Sequence, residues 1–358
     1  MEKVEPGQIK RIVVRSPTWV GDAVMSLPAL YALRRLFPES EITVAAPPGT
    51  ADIFCDSRSV NDVFVQGSGG PFAAITNARQ LRRGRFNLAV LFQNAFAAAA
   101  TAFLAGVPVR VGYATDRRSA LLTSALPLPA WKDERHESFY YLNIVAELAQ
   151  TIFASSSVIQ PEPVFELPVS ARRKECARQL LEQSGRASGQ PIAILCPGSV
   201  NSRAKRWPAE RYAELTDRFI NAGLGVVLVG SPGEIQVSSQ VSARARQKPL
   251  VLTGKTTVAE VVALISIADL LVTNDTGPAH IGATLGTPTL VIFGPTNPLT
   301  TYPRSAFAEV IREPPDCAPC MLRDCPIDHR CMTSISVDEV FRRAMTMHER
   351  KSVQLIGS

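Results

Sequence analysis

At 358 residues, 46% hydrophobic and 20% charged, the chain has the composition of a soluble globular protein long enough for two α/β cores. Its formal charge of +6 is spread evenly, with Lys and Arg against Asp and Glu counting 16 to 13 over residues 1–160 and 22 to 19 over 161–358. Diffuse basicity of this kind argues against a nucleic-acid partner, which draws its cations into a stripe or tail, and fits an anionic substrate or a membrane surface.

Residues 1–8 are polar and lead into Ile12-Val13-Val14 with no apolar leader before them, so a cytoplasmic protein is expected. The first half then alternates strand-like and helix-like runs: 12–15, a helix over 22–36, 41–46, 62–65, a helix over 72–83, and 87–92. Pro28 either kinks the first helix or marks its true start. The apolar stretch 88–109 carries Gln93 and Asn94 and is rich in Ala, which reads as strand, loop and helix rather than a membrane span. From 153 to 170 Ser and Pro break both periods and mark a linker. Strands at 192–198, 225–232, 249–254, 269–275 and 287–294 follow, alternating with helices over 208–222, from 233, over 257–267 and after 276.

The expected fold class is therefore α/β, with two Rossmann-like doubly wound parallel sheets facing a cleft at the carboxyl ends of their strands. The expected boundaries are 1–160 for the N-terminal domain, 161–340 for the C-terminal domain, and 341–358 for a closing helix or tail.

Four segments carry chemistry. In the first, 273–288, a strand ends in Asn274-Asp275-Thr276-Gly277 and Pro278 opens a helix that contains His280. Such a turn aims backbone N–H groups and the helix dipole at a phosphate; otherwise it is a well-capped βα turn. The second, 196–208, offers Ser199, Asn201 and Ser202 as short donors and Lys205 as a mobile cation, or else an exposed Lys-Arg pair before a helix-starting proline. The third places Glu234 after Gly230-Ser231-Pro232-Gly233, where it can hold ribose hydroxyls or favour a helix N-terminus. The fourth, Ser16-Pro17-Thr18-Trp19-Val20-Gly21-Asp22, sets a carboxylate after the first strand, as a general base or a helix cap. The sequence contains neither G-x-G-x-x-G nor G-x-x-x-x-G-K-[ST], which argues against a dinucleotide fingerprint and a P-loop.

Cys317, Cys320, Cys325 and Cys331, with His329 among them, have a spacing that could bind structural zinc; reduced thiols or a labile disulfide are the alternatives. Arg79, Arg82 and Arg83 share one face of a helix and Arg117 and Arg118 follow another strand, so both sets can meet anionic headgroups or stand as solvated faces.

The order WVGD, PGSVNSRAKRWP, VTNDTGPAHIGATLGTPTLVIFGPTNP resembles the ADP-heptose:lipopolysaccharide heptosyltransferase family, and within it the type II members. The likeness spans almost the whole chain and includes residues 110–123, 136–145 and 317–331. It implies a GT-B arrangement and an inverting transfer of L-glycero-D-manno-heptose from ADP-heptose to a heptose on the Kdo–lipid A inner core. No cofactor or catalytic metal is implied. Under this resemblance Asp22 is the general base and Lys205 the cation on the donor phosphates. Asp275, Thr276, Gly277 and His280 hold the pyrophosphate and ribose side, Glu234 the ribose, and the turn 252–256 with Thr256 the adenine. Ser199 and Asn201 complete the donor side, while Trp19, Arg117, Arg118 and His136 belong to the acceptor side. A monomer at the cytoplasmic face of the inner membrane is expected. A type I or III transferase, a sugar-nucleotide epimerase and a non-catalytic nucleotide-binding module are the rival readings.

Overall fold

The computed structural model describes residues 6–67, 73–154, 162–187 and 189–356, the side chains of 6 and 351–356 excepted. The polar start 1–5, position 72 of the helix expected over 72–83, the centre of the expected linker at 155–161 and the last two tail residues lie outside the described residues. Two compact units divide the chain, Met1–Pro168 and Val169–Ser358.

In the first unit, β1 (Arg11–Arg15), β2 (Glu41–Ala46), β3 (Asp62–Val65), β4 (Leu88–Leu91), β5 (Val109–Tyr113) and β6 (Ser124–Leu126) form a sheet in the order β3-β2-β1-β4-β5-β6. All its pairings are parallel. The second unit repeats that winding with β7 (Ile192–Cys196), β8 (Gly225–Leu228), β9 (Leu250–Val251), β10 (Leu270–Asn274), β11 (Thr289–Ile292) and β12 (Ala308–Ile311), in the order β12-β11-β10-β7-β8-β9. Its pairings are parallel too. All five residues of β7 and of β10 are buried, as helices on both faces of a parallel sheet require. Each sheet starts in its middle and grows first to one side, then to the other. The loops after β1 and β4, and after β7 and β10, therefore part at a switch point, where open α/β sheets bind ligands.

β6 and β12 are not among the expected strands, and β5 is the strand expected before Arg117, there without bounds. β6 and β12 are edge strands of three and four residues with half-exposed polar positions, and β5 carries Arg110 and Gly112, so none shows a clean apolar run. The expected helix 22–36 is two helices, Val20–Met25 and Leu27–Leu36, with Pro28 in the first turn of the second. Between them Ser26 turns its hydroxyl back onto the Ala23 carbonyl at 2.7 Å. The stretch 88–109 holds β4, a loop and the helix Phe96–Leu104, and no helix among the described residues is long and apolar enough to cross a membrane. The closing helix starts at Val337, earlier than expected, and its Val340, Ala344 and Met347 pack in one core with Trp207, Phe219, Val272 and Ile292.

The helix Gly277–Leu285 lies directly on β10 and β11, and Gly282 makes that approach possible. A Cβ at Gly282 would stand 2.3 Å from Thr289 Oγ1 and 2.6 Å from Leu271 Cδ2, so the helix would have to lift off the sheet. Gly282→Ala is expected to lower the free energy of unfolding by about 1–3 kcal/mol, the usual range for overpacking, in denaturant titration. Unchanged stability would mean that the helix floats free of the strands.

Candidate functional site

The side chain of Asn274, fully buried at the carboxyl end of β10, organises the second switch point. Its Nδ2 donates to the carbonyls of Pro197 (2.9 Å) and Gly198 (3.1 Å), just past the end of β7. Its Oδ1 accepts from the Trp207 amide and the Tyr212 hydroxyl, both at 3.1 Å. The loop 197–207 is thus tied at both ends to one amide. In the middle of that loop, the 3-10 turn Arg203–Lys205 projects Lys205 back over β10.

Lys205 Nζ lies 3.1 Å from Asp275 Oδ2 and 3.2 Å from the Asp275 carbonyl. The Asp275 carboxylate is 2% exposed and also accepts a 2.5 Å hydrogen bond from Thr296 Oγ1. Thr276 then turns into the helix in extended backbone, with no side-chain cap on the helix N-terminus. Its hydroxyl instead meets Thr273 Oγ1 and the Asn274 carbonyl, both at 3.3 Å. Pro278 has no N–H, so Gly277 and the residues after Pro278 present the helix's positive end. His280 sits in the first turns, where burial and, behind it, the charge of Lys205 push its imidazole down to about 4. Near neutral pH it is an uncharged donor or acceptor.

The other donor-side residues have separate settings. Glu234 closes a capping box on Ser231, its Oε2 accepting from the Ser231 amide at 2.7 Å and hydroxyl at 2.8 Å. Its other oxygen lies where a Cβ on Gly198 would be, 2.2 Å away, so glycine there lets the carboxylate reach the β7 loop. Ser199 is buried and its carbonyl accepts from Arg206 at 2.8 and 3.2 Å, whereas Asn201 is exposed at the loop tip. Thr256 Oγ1 is buried without a partner among the described residues. The next residue, Thr257, caps the helix Val258–Ile267.

In the first unit Asp22 stands in the first turn of Val20–Met25, whose N-cap is Trp19. Asp22 is therefore not the N-cap residue, although its charge in the first turn still suits the helix N-terminus. Trp19 is 49% exposed beside it. The Tyr141 hydroxyl, on the helix Glu137–Phe153, points at Asp22 Oδ1 from 3.5 Å. One turn before Tyr141, burial pushes the Glu137 carboxyl up to about 7, opposed by Lys132 and reinforced by Asp22 and Asp133. His136 caps this helix, its Nδ1 accepting from the Ser138 amide at 3.2 Å. Two arginines lie under the loops. Arg15 reaches Gln93 Oε1 at 2.7 Å, and Gln93 in turn donates to Thr18 at 2.8 Å in the Asp22 loop.

Arg118 requires a correction. It is fully buried and donates to the carbonyls of Tyr113 and Gln93 and to Asn94 Oδ1, so it ties the ends of β4 and β5 and has no face for a headgroup. Arg117 beside it is exposed, with φ of 55°. The expectation of a structural zinc gains no support: among the described residues no group of three or more His, Cys, Asp or Glu is placed to hold a metal. Cys331 is buried, Cys317 is exposed and Cys320 and Cys325 are half-buried, and His329 spends Nε2 on the Ala204 carbonyl at 2.6 Å.

Sequence reasoning missed Asn274, Thr296 and Tyr141 as site residues. Asn274 and Thr296 lie inside quoted motifs, but their partners are tens of residues away.

Two sheets of identical Rossmann winding, the second with an uncapped helix N-terminus and a lysine at its switch point, make the framework of a two-unit α/β protein suited to a nucleotide diphosphate. The pattern of glycosyltransferase family 9 (heptosyltransferase) matches residues 75–330. Lipopolysaccharide heptosyltransferase 2 of Escherichia coli K12 is 31% identical over 316 residues, 84% of this chain and 88% of that protein. Lipooligosaccharide heptosyltransferase 2 of Campylobacter jejuni is 23% identical, with 94% of this chain and 98% of that one covered. The structure of E. coli ADP-heptose LPS heptosyltransferase II superposes with a TM-score of 0.83 at 26% identity, covering 96% of this chain and 99% of that one. The chain belongs to glycosyltransferase family 9, the heptosyltransferases, and is a glycosyltransferase.

His280 makes this site acid-sensitive. With its folded pKa near 4 and an ordinary value near 6.5, the unfolded chain binds more protons between those limits. The stability that neutral His280 contributes is complete above about 6.5 and is lost as the pH falls towards about 4. His280→Gln cannot titrate. The stability of the wild type relative to this variant should fall on acidification through that window, by up to about 1.4 kcal/mol per pH unit, in denaturant titrations from pH 7 to 4.5. A pH-independent difference would show that the imidazole is not held neutral.

Proposed function

We propose that this enzyme transfers L-glycero-D-manno-heptose from ADP-heptose to a heptose of the lipopolysaccharide inner core, with inversion, as a type II heptosyltransferase. The observation that carries this reading is the Lys205–Asp275 pairing at the mouth of an uncapped helix N-terminus: a cation and a positive dipole end suited to a diphosphate. The second unit is the donor side and the first the acceptor side. The acceptor hydroxyl oxygen attacks the anomeric carbon and gives its proton to the Asp22 carboxylate. The bond from that carbon to the diphosphate breaks, and the charge gathering on departing ADP meets Lys205 and the turn at 276–277, donors fixed before the reaction. Glu234 is read as the ribose contact and Thr256 as part of the adenine turn. Gly277 and His280 are read as neutral contacts to the phosphates, Ser199 and Asn201 as loop contacts, and Trp19 and Arg117 as acceptor-side residues. His136 serves that side by starting the helix that carries Tyr141.

The direct test incubates purified protein with ADP-heptose and a panel of truncated lipopolysaccharides and weighs the product. Heptose added to a mono-heptosylated acceptor supports the type II reading; addition to heptose-free Kdo–lipid A would reassign it to type I.

Asp22→Asn should cut turnover by about two to four orders of magnitude, the usual value of a positioned general base, with ADP-heptose affinity near wild type. Because Trp19 and not Asp22 is the N-cap, melting should hardly move. Near-normal turnover would remove Asp22 from the mechanism.

We also infer that the first unit meets the membrane surface through the helices Ala73–Arg83 and Phe96–Leu104. Arg79, Arg82 and Arg83 are exposed, and Arg82 donates to the carbonyl of Leu104 at 3.0 Å. Leu104 and Phe103 are themselves 45% and 48% exposed, with Arg110 over the Phe103 ring. Exposed apolar side chains ringed by arginine suit an anionic bilayer. Binding to anionic vesicles should fall with salt and on charge reversal at 82 and 83; binding indifferent to both would refute it.

A further inference from the structure

The segment 312–330 is the least core-like part of the second unit, for none of its residues is buried. Met321, Leu322 and Ile327 are 59%, 45% and 62% exposed. Burial gives it no reason to lie where it does, yet its hydrogen bonds converge on the three residues that precede Lys205. Ser202 Oγ lies 3.2 Å from both the Leu322 and Arg323 carbonyls. The Ala204 amide donates to the Arg323 carbonyl at 2.9 Å, and His329 Nε2 donates to the Ala204 carbonyl at 2.6 Å. Arg203 pairs with Asp324 at 2.6 Å, an exposed contact that adds little by itself.

A second anchor is as local. The Met321 amide donates to the Pro295 carbonyl at 2.9 Å, next to Thr296, and Thr296 holds Asp275. The segment then ends on Cys331 and Met332, seated where Gly294 has no side chain: a Cβ there would meet Met332 Sδ at 2.4 Å. Both partners of the Asp275 carboxylate, Lys205 and Thr296, are therefore reached through this one stretch.

We infer that residues 316–331 are a strap that sets the position of the Lys205 ammonium, with His329 and Ser202 as positioning residues for the donor diphosphate. The inference rests on the reading of Lys205 as the cation on that diphosphate. The physical reason is the lever. Lys205 has four flexible carbons, so the turn Arg203–Lys205 must be fixed for its ammonium to wait in one place, and the Asn274 clamp reaches the loop only at its ends. The strap fixes the middle.

His329 lies in the left-handed region, φ 56°, so the test uses residues that such a backbone tolerates or that keep the donor. His329→Asn keeps the backbone and is too short to reach Ala204; His329→Gln restores an N–H donor. ADP affinity by calorimetry, KM for ADP-heptose, kcat and melting are compared in wild-type and Lys205→Ala backgrounds. His329→Asn should weaken ADP binding about three- to tenfold, as loss of one half-buried hydrogen bond implies, with little change in melting. His329→Gln should recover most of the affinity. In the Lys205→Ala background His329→Asn should change nothing further.

Unchanged ADP affinity in His329→Asn would overturn the inference, and so would an equal loss in both backgrounds, which would mean that the strap acts on the fold rather than on the lysine. Should His329→Asn not fold, Ser202→Ala carries the same comparison. If Lys205→Ala itself binds ADP as well as wild type, the reading of Lys205 fails and takes the inference with it. A Lys205→Ala defect beside an innocuous strap variant sinks the inference alone.

Discussion

Four hydrogen bonds to the one carboxamide of Asn274 hold the second unit's switch point together. The amide has two N–H donors and an oxygen with two lone pairs, and the chain meets all of them, at Pro197, Gly198, Trp207 and Tyr212. The constraint is severe because the group is fully buried, where each unmet donor or acceptor costs about 1–3 kcal/mol. A loop leaving β7 in any other register would forfeit two or more of these bonds. Its two ends being set, the loop brings Lys205 to the carboxylate of the very next residue in β10's turn, so the proposed diphosphate site follows from the register of the strand.

The first unit uses the same topological position with different chemistry. Its switch point is filled by guanidinium groups, Arg15 and Arg118, whose N–H donors go to Ala45, Tyr113 and Gln93 carbonyls and to the Gln93 and Asn94 side chains. Burial brings Arg15 down to about 10, still charged at neutral pH, and lowers Arg118 too. Above this cationic floor the loop and the neighbouring helix offer Asp22, Glu137 and Tyr141. One winding thus presents carboxyls at one switch point and an ammonium with a helix N-terminus at the other.

How far the sequence could be read follows from the range of each interaction. The central strands were legible because double-sided burial makes each a continuous apolar run. Of the edge strands, β3 and β9 were legible, although β9 has only two residues, whereas β6 and β12 keep polar, half-exposed positions and were not. The turn 275–277 was legible as a strand-to-helix turn because a helix N-terminus after a strand is a local signal. Arg117 and Arg118 mark the limit. As neighbours of one type they read alike, yet one is exposed and the other fully buried, and the difference lies in carbonyls at Gln93 and Tyr113.

The pairing of Lys205 with Asp275 shapes what loss of the lysine would mean. The aspartate side chain is 2% exposed and the lysine side chain 24%, so this is a nearly buried carboxylate served by a half-open cation. Removing one partner of a buried pair typically costs about 3–5 kcal/mol, mostly through the charge left behind. Thr296 and its 2.5 Å hydrogen bond soften that cost but supply no charge. Lys205→Ala therefore measures a stranded carboxylate together with the loss of the proposed phosphate contact, and Asp275→Asn beside it separates the two. The same geometry explains why lysine serves here better than arginine. A compact ammonium on a flexible stem, resting on both the Asp275 carbonyl and carboxylate, can turn towards a diphosphate while keeping one of them, whereas a planar guanidinium would have to break its fork to move. The aspartate holds the lysine in readiness, and the strap determines where that happens.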